Sequence, residues 1–246
     1  MELSKRLQAA AGLISEGNRL VDVGTDHGYI PIYLVETGRI PSAIAMDVKK
    51  GPLSRAEEHI GQAGLNAYIK CRLSDGLKEL KPGEGESLLL AGMGGNLMIR
   101  ILTEKPDVLA SFRELVLQPQ SAWALVRKET EALGWRVDRE DMILEDGKFY
   151  PMLRLVPAGR AGKDREKDYR GTDYKNEAEY AYGKLLLREK NPVLKVYLDR
   201  QQEFFCGLAT RLRREPEEAR SESAKERLLE LEQEKAVLKE ALAYYK

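Results

Sequence analysis

The chain has 246 residues, of which 43% are hydrophobic, with 40 Lys or Arg and 40 Asp or Glu. This length and this apolar content suit one large or two small domains with a real core, which excludes a disordered chain. The formal net charge of zero does not by itself indicate a nucleic-acid ligand.

Cysteine and histidine are scarce. Cys71 and Cys206 are far apart, there is no CxxC motif, and the chain has only two histidines. We therefore expect no disulfide framework, no metal site and a reducing, cytoplasmic location. No apolar run has the length of a signal peptide core or a membrane span, so we expect no membrane association.

The first predicted element is a helix over 3–14, in which apolar residues recur at helical intervals and Ser4 is the expected N-cap. It would lie just before the first strand, where it is placed to cover a cofactor cleft. Two of its basic residues, Lys5 and Arg6, are either solvated surface charges or the edge of a substrate site.

A strand, a glycine turn and a helix start follow in succession. The apolar run at 20–23 predicts a buried parallel strand, and Gly24 ends it. Gly28 precedes a helix over 29–36, with Pro31 in its first turn. This succession is typical of the nucleotide-binding corner of a doubly wound α/β sheet.

The residue inside that turn separates two cofactor classes. A dinucleotide fingerprint requires glycine at the position of Asp26, where a carboxylate would repel a diphosphate. A carboxylate suits a cationic cofactor without phosphate, such as S-adenosylmethionine (SAM). The spacing of Asp22, Gly24 and Gly28 resembles the first motif of Rossmann-like SAM-dependent methyltransferases. Alternatively, both glycines are ordinary turn residues.

Two further strands end at or just before an acidic residue. A strand over 42–48 ends at Asp47, which either accepts the ribose hydroxyls or caps the following helix at 51–63. His59 in that helix is interpreted as a surface or half-buried histidine. After a third strand at 67–73, the turn Ser74-Asp75-Gly76 either binds adenine through Asp75 and the backbone or is a simple turn.

The next two strands end at the same edge. A strand over 86–93 runs into Gly92-Met93-Gly94-Gly95, and such a glycine cluster indicates close approach by a ligand or tight backbone geometry. Met93 either lines the site or fills the core. A fifth strand ends at Gln118-Pro119. After a helix over 121–133, strands at 136–144 and 149–156 are expected to close the sheet as an antiparallel hairpin.

The remainder is predicted to be a linker and a helical domain. We expect a catalytic domain over 1–158, a charged linker over 159–172 and a helical domain over 173–246. The helical domain is expected to hold a helix at 176–189 and two heptad-patterned helices around Glu215-Pro216, forming a helical hairpin or coiled coil. Arginines near its tip either grip phosphates or belong to a solvated surface.

Taken together, the motifs resemble one known family. Asp22-Val-Gly-Thr-Asp-His-Gly-Tyr, Asp47-Val, Ser74-Asp-Gly, Ala91-Gly-Met-Gly-Gly and Gln118-Pro are similar to those of TrmK, the bacterial tRNA (adenine-N1) methyltransferases that modify adenine 22. The resemblance implies an α/β fold with a Rossmann-like SAM-methyltransferase sheet and an all-α C-terminal coiled-coil domain. It also implies SAM as cofactor, tRNA as partner, and a monomer or weak dimer.

The resemblance, together with the loop positions, assigns site residues to three groups. Catalytic roles are expected of Asp26, Gly92, Met93 and Gly94. Cofactor contacts are expected of Asp22, Gly24, Thr25, His27, Gly28, Tyr29, Asp47, Val48, Ser74, Asp75, Gly76, Gln118 and Pro119. RNA contacts are expected of Lys5, Arg6, Arg211, Arg213 and Arg214.

The predicted chemistry follows from the segment after the fourth strand, which has no side chain that could accept hydrogen bonds from a substrate amine. Many enzymes that methylate an exocyclic amine carry Asp/Asn-Pro-Pro-Tyr/Phe where this chain has glycines and Met93. A ring nitrogen such as adenine N1 already has a lone pair and needs no side-chain acceptor. Asp26 is hypothesised to stabilise the cationic product or to take a proton from the N6 side. Tyr29 and Phe149 either stack on the flipped base or pack in the core.

Three rival functions remain open from the sequence. One is a methyltransferase for a small molecule or a protein, which the additional helical domain mildly disfavours. Another is a non-catalytic RNA-binding protein that keeps the SAM fold, which the intact glycine loops and Asp47 disfavour. The third is a nicotinamide-dependent reductase, which Asp26 disfavours.

Overall fold

The computed structural model describes residues 2–159, 174–214 and 221–246. The chain divides into two compact units, Met1–Asp173 and Tyr174–Lys246. The predicted linker from residue 160 onward and the predicted hairpin tip at Glu215-Pro216 lie outside the described residues.

The first unit is an α/β fold, as the motifs predicted. Every predicted strand is present, and the short helix α5 is an addition that the sequence did not indicate. In chain order the elements are α1 (Lys5–Leu13), β1 (Leu20–Val23), α2 (Tyr29–Glu36), β2 (Ala43–Asp47), α3 (Lys50–Gln62), β3 (Ile69–Leu73), β4 (Ser87–Met93), α4 (Gly95–Glu104), α5 (Pro106–Leu109), β5 (Glu114–Pro119), α6 (Trp123–Ala132), β6 (Trp135–Glu145) and β7 (Lys148–Pro157).

The seven strands form one sheet in the order β3-β2-β1-β4-β5-β7-β6. Strands β1 to β5 are parallel, and β7 and β6 close the sheet as an antiparallel hairpin. The chain moves outward in one direction from β1 and in the other from β4. In doubly wound sheets the crevice between two such strands, at their carboxyl ends, is where ligands bind.

The core is built by alternating side chains of the parallel strands. Helices α1, α2 and α3 pack their apolar residues against one set of strand residues, which includes Leu20, Ala45, Leu89 and Val116, all buried. Successive strand residues point to opposite faces, so Leu88 and Leu90 belong to the other face. Continuous burial along β1 and β5 is what a parallel sheet covered on both sides requires.

A buried polar network secures the edge of the sheet opposite the crevice. The carboxylate of Glu114 accepts hydrogen bonds from the Ser15 backbone N–H at 2.8 Å, the Ser15 hydroxyl at 2.5 Å and the Ser87 hydroxyl at 2.6 Å. Asn18 Nδ2 donates to Ser87 Oγ at 3.0 Å. The residues that follow α1 are thereby fixed to the amino ends of β4 and β5.

The second unit is helical, with α7 (Glu177–Tyr182), α8 (Lys184–Arg188), α9 (Pro192–Leu212) and α10 (Glu222–Ala243). The single helix predicted over 176–189 is wrong, because Gly183 adopts φ 96° and divides it into α7 and α8. Helices α9 and α10 are antiparallel: Tyr245 Oη, beyond the end of α10, donates to the Asn191 carbonyl at the start of α9 at 2.8 Å. Coiled-coil packing of this hairpin remains a prediction.

Across the described parts of the chain, none of the helices combines the length and the apolar character needed to cross a bilayer.

One charged pair is completely buried in the first unit. Arg127 of α6 and Glu140 of β6 both have fully buried side chains, and Arg127 Nε donates to Glu140 Oε1 at 2.9 Å. Removing one member of such a pair leaves an uncompensated charge in a low-dielectric interior. The pair therefore links α6 to the hairpin formed by β6 and β7, and the stability of this contact depends on the presence of both side chains.

We expect Glu140→Ala to lower the free energy of unfolding by about 3 kcal/mol, because it removes a carboxylate that is hydrogen-bonded to the buried Arg127 guanidinium. Both tryptophans, Trp123 and Trp135, lie in the first unit, so urea unfolding followed by tryptophan fluorescence reports on that unit. The control is Glu16→Ala, which removes the exposed ion pair to Arg39 and should cost below about 1 kcal/mol. Equal effects of the two substitutions would contradict the interpretation.

Candidate active site

A cavity of about 280 Å³ lies at the crevice between β1 and β4 and is called the first cavity. Its wall combines the start of α1, the end of β1 with the loop after it, the end of β4, and the residue after β5. The residues are Arg6, Leu7, Asp22, Gly24, Thr25, Asp26, His27, Tyr29, Ile30, Ala91, Gly92 and Gln120. The structure therefore brings together residues from the two separate glycine motifs.

The loop after β1 requires glycine at two positions. Gly24 has φ 83°, its N–H donates to the Met46 carbonyl at 2.8 Å, and a Cβ there would lie 3.0 Å from Met93 Cε. Gly28 has φ 69° at the N-cap of α2 and packs against Ala56 of α3. Both glycines shape the turn, and the first also lets Met93 approach the backbone closely.

Asp22 is a buried carboxyl at the carboxyl end of β1. Burial raises the pKa of Asp22 to about 7, and the charge of nearby Asp47 acts in the same direction. Asp47 is itself buried at the end of β2. Within residues 2–159, 174–214 and 221–246, neither carboxyl forms an ion pair. Two buried acids without a cationic partner make this end of the sheet receptive to a cation or to hydroxyl donors.

The position of Asp47 bears on its two predicted roles, which are ribose binding and capping of the following helix. Its Oδ1 accepts a hydrogen bond from the Lys49 backbone N–H at 2.7 Å, so it shapes the turn into α3. The N-cap of α3 is Lys49, so Asp47 does not cap the helix directly. Because β2 lies between β1 and β3, Asp47 also stands between the first cavity and a second one.

The second cavity, of about 620 Å³, lies at the carboxyl end of β3. Its lining includes Ser74, Asp75 and the exposed Val48, three of the residues for which a cofactor contact is predicted. Binding of adenine by the turn at Ser74 and Asp75 stays a prediction. The Asp75 carboxylate is engaged by Arg100 at 2.7 Å and Lys78 at 2.5 Å. These two cations hold the pKa of Asp75 far below its ordinary value, so the group is ionised.

The glycines of the second motif, at residues 92–95, serve different purposes. Gly92 lines the first cavity with φ 75°. Gly95 is required for packing, since a Cβ there would lie 2.5 Å from the Ser121 carbonyl oxygen and 2.8 Å from Val126. Gly94 is the N-cap of α4. Packing of α4 against α6 thus explains one of the glycines that the sequence associated with ligand approach, and Gly92 remains the one at the cavity.

Asp26 is at the rim of the first cavity. Its side chain is 63% exposed, and its Oδ1 accepts a hydrogen bond from Arg55 Nη2 at 2.7 Å. Its Oδ2 lies 3.5 Å from His27 Nε2. The carboxylate is therefore held in place by α3 while remaining accessible.

Arg6 projects from α1 into the cavity wall. Its guanidinium donates to Gln118 Oε1 at 3.1 Å and lies over the ring of Tyr150, 5.3 Å from the centroid. Gln118 is fully buried, and its Nε2 has no hydrogen-bond partner among the described residues. Arg6 is the only Arg or Lys among the described residues that line the first cavity.

Other predicted residues do not reach the first cavity. Lys5 is exposed on α1, and Pro119 pairs with Met93 in the sheet. Phe149 is not among the described lining residues, whereas its neighbour Tyr150 contacts Arg6. The three arginines at the end of α9 belong to the second unit: Arg213 forms an ion pair with Glu232 at 2.6 Å, and Arg211 and Arg214 are exposed.

The sequence did not indicate an aromatic stack beside the first cavity. The rings of His27 and Tyr29 are nearly parallel with centroids 5.0 Å apart, and His59 of α3 stacks against both. His59 is half-buried, as predicted, yet it is part of the support of the site. No local motif signals this, because the contact is made between residues 30 positions apart.

The residues that line the two cavities fit SAM. The buried carboxyls of Asp22 and Asp47 suit the ammonium group and the ribose hydroxyls of SAM, and Arg6 suits its carboxylate. In the described part of the chain there is no group of three or more His, Cys, Asp or Glu suited to a metal ion.

Comparison with known proteins agrees with this geometry. A family model described as "Methyltransferase domain" matches residues 3–153. The tRNA (adenine(22)-N(1))-methyltransferase of Bacillus subtilis is 36% identical over 193 residues, which is 78% of this chain and 78% of that protein.

Solved structures extend the similarity to nearly the whole chain. The crystal structure of the B. subtilis m1A22 tRNA methyltransferase TrmK has a TM-score of 0.83 and 32% identity, with 98% of both chains covered. The Streptococcus pneumoniae Sp1610 protein in complex with S-adenosyl-L-methionine has a TM-score of 0.81 and 31% identity, covering 98% of this chain and 100% of that one.

The raised pKa of Asp22 predicts a pH-dependent cost in stability. The folded state holds this proton up to about pH 7, whereas an ordinary carboxyl loses it near pH 4. Stability therefore falls as pH rises between those values and stays low above them. We expect Asp22→Asn to stabilise the first unit at pH 8 by about 2 kcal/mol and to have little effect near pH 4.

The measurement is urea unfolding by tryptophan fluorescence at both pH values. Asp146→Asn is the control, because Asp146 is an exposed turn residue with φ 49°, a conformation that Asn also tolerates. A stability gain at pH 8 shared by the control, or no gain for Asp22→Asn, would refute the assignment.

Proposed function

This chain belongs to the methyltransferase family that includes the tRNA (adenine(22)-N1)-methyltransferase of B. subtilis, and we propose that it transfers a methyl group from SAM to N1 of adenine 22 in tRNA. The observation that carries the proposal is the first cavity. It places the buried Asp22, the glycine loop after β1 and Gly92 in one wall, at the crevice where a doubly wound sheet binds its ligands.

The cofactor is proposed to lie along the carboxyl ends of β1, β2 and β3. Asp22 would bind the SAM ammonium group and Asp47 the ribose hydroxyls, while the adenine would lie beside Val48 in the second cavity. SAM supplies an electrophilic methyl group on a sulfonium centre. Gly24, with Met93 packed against it, keeps this part of the cleft narrow.

Arg6 is proposed to bind the carboxylate of SAM. It is the one Arg or Lys among the described residues lining the cavity, and Gln118 and Tyr150 hold its guanidinium in place. The sequence suggested an RNA contact for Arg6. Its position in the wall that also contains Asp22 supports the cofactor role instead, because the two side chains complement a zwitterion.

The transfer step itself needs alignment more than acid or base. The S–CH₃ bond breaks as the N1–CH₃ bond forms, and the electron pair of the broken bond stays on sulfur, which becomes a neutral thioether. Most of the acceleration would come from holding the acceptor nitrogen in line. Gly92 lines the cavity and, without a side chain, would leave room for the base, while Met93 and Gly94 follow it in the chain. Asp26 would stabilise the positive charge of the methylated ring or accept its N6 proton.

The second unit is proposed to contribute to tRNA binding. Arg211 and Arg214 are exposed near the end of α9, where they are available to phosphates. Arg213 is the weakest candidate of the three, since Glu232 already pairs with it. A cytoplasmic location and a monomer or weak dimer are part of the same proposal.

The decisive experiment is methyl transfer from labelled SAM to unmodified tRNA transcripts. We expect incorporation into transcripts with adenine at position 22 and none when guanine replaces it, because N1 of guanine carries a proton. SAM binding without incorporation into any tRNA would overturn the tRNA assignment and favour a small-molecule or protein substrate.

A paired substitution separates cofactor binding from chemistry. Arg6→Ala should raise the Kd for SAM about tenfold with kcat preserved at saturating SAM, because a charged hydrogen bond is lost. Asp26→Ala should lower kcat about a hundredfold and leave the Kd for SAM unchanged.

Calorimetric SAM titration and steady-state methylation provide the two readouts, and each variant is the control for the other. If Arg6→Ala instead raises the KM for tRNA alone, Arg6 is an RNA contact. If Asp26→Ala weakens SAM binding as much as it lowers kcat, Asp26 is a cofactor ligand.

A further inference from the structure

One face of α3 contacts the loop after β1 at three consecutive residues. Arg55 donates to Asp26 at 2.7 Å, and His59 Nδ1 lies 3.1 Å from the His27 carbonyl oxygen. Ala56 supports the third residue, Gly28, where a Cβ would lie 3.4 Å from the Ala56 Cβ. Residues 55 and 59 are one turn apart, so both extend from the same side of the helix.

The same face also orders the two rings that line the first cavity. The His59 ring is 5.4 Å from that of His27 and 5.3 Å from that of Tyr29, at interplanar angles of 19° and 13°. His27 and Tyr29 line the cavity and His59 does not, so His59 supports them from behind. Tyr29 remains 36% exposed, which leaves part of its ring available to a ligand.

A supported pair of parallel rings beside a methyl-transfer site is suited to an unstacked purine. N1 of adenine lies on the Watson–Crick edge, so the base must leave its stack before it can react. Proteins that hold such bases stack them on aromatic side chains, at a gain that does not depend on which base is bound. The nearly parallel rings of His27 and Tyr29 offer a flat aromatic surface for this contact.

We propose that the rings of His27 and Tyr29 receive the target adenine and that His59 is the positioning residue that fixes their orientation; this rests on the proposed function. His59 does not contact the reacting atoms. It acts through the hydrogen bond to the His27 backbone and through the stack. The two contributions are separable, because one uses Nδ1 and the other uses the ring face.

Three variants separate the contribution of the hydrogen bond from that of the ring stack. His59→Phe keeps the ring and loses the donor, His59→Asn keeps a donor near the position of Nδ1 and loses the ring, and His59→Ala loses both. The matched control is Glu58→Ala on the same helix, where the exposed Glu58 accepts a hydrogen bond only from Gln62 among the contacts of the described residues.

Each variant is tested for kcat/KM with tRNA at saturating SAM, for the Kd of SAM, and for the fluorescence rise of 2-aminopurine placed at position 22. We expect His59→Ala to lower kcat/KM about tenfold and to reduce the fluorescence rise, with the Kd of SAM unchanged. His59→Phe and His59→Asn should each recover part of the loss, and Glu58→Ala should resemble the wild type.

Two results would overturn the inference. One is unchanged kcat/KM and fluorescence in all His59 variants. The other is a loss of SAM affinity equal to the loss of kcat/KM, which would assign the rings to the cofactor. If His59→Ala does not fold, the Phe and Asn variants decide in the same way. A wild-type enzyme that methylates no tRNA refutes the proposed function, whereas active wild type with unaffected variants refutes only the role of His59.

Discussion

The reversal of strand order between the paired strands β1 and β4 at the centre of the sheet is the constraint on which the site depends. The chain moves outward in opposite directions from these two strands, so nothing in the sheet fills the space beyond their carboxyl ends. Gly24 and Gly92 both have positive φ at this point and keep their backbones close to the cavity. Residues 68 positions apart in the chain thus share one cavity wall.

Electrostatics at the crevice oppose stability and favour binding. Burial of Asp22 raises its pKa to about 7, which means that its charged form is disfavoured in the folded chain. A fold selected only for stability would place an apolar residue there. Asp22 and the guanidinium of Arg6 share one cavity wall and would complement the ammonium and carboxylate groups of SAM in the proposed complex, while the neighbouring Asp47 would accept hydrogen bonds from its ribose. The cost in stability is consistent with a functional position.

Support for the site comes from elements that do not line it. Helix α3 holds the loop after β1 through Arg55, Ala56 and His59, and Gln118 with Tyr150 holds Arg6. At the opposite edge, the Glu114 network fixes the segment after α1 to the strands. The residues that line the first cavity are therefore oriented by contacts with several elements, which is what the proposed alignment of a methyl donor and an acceptor would require.

The sequence by itself determined the strands, their order of appearance and the two glycine motifs, because periodicity, turn residues and local spacing are properties of short segments. It also indicated Asp22, Asp26 and Asp47 as site residues, since each ends or follows a strand. Only the tertiary structure decided that Arg6 lies in the cavity wall, that Gly95 serves packing, and that His59 stacks behind Tyr29. It also showed that Gly183 divides the helix predicted over 176–189. The positions of Arg6, Gly95 and His59 depend on which distant elements come into contact. The break at Gly183 depends on a backbone conformation that the polar pattern of the segment does not encode.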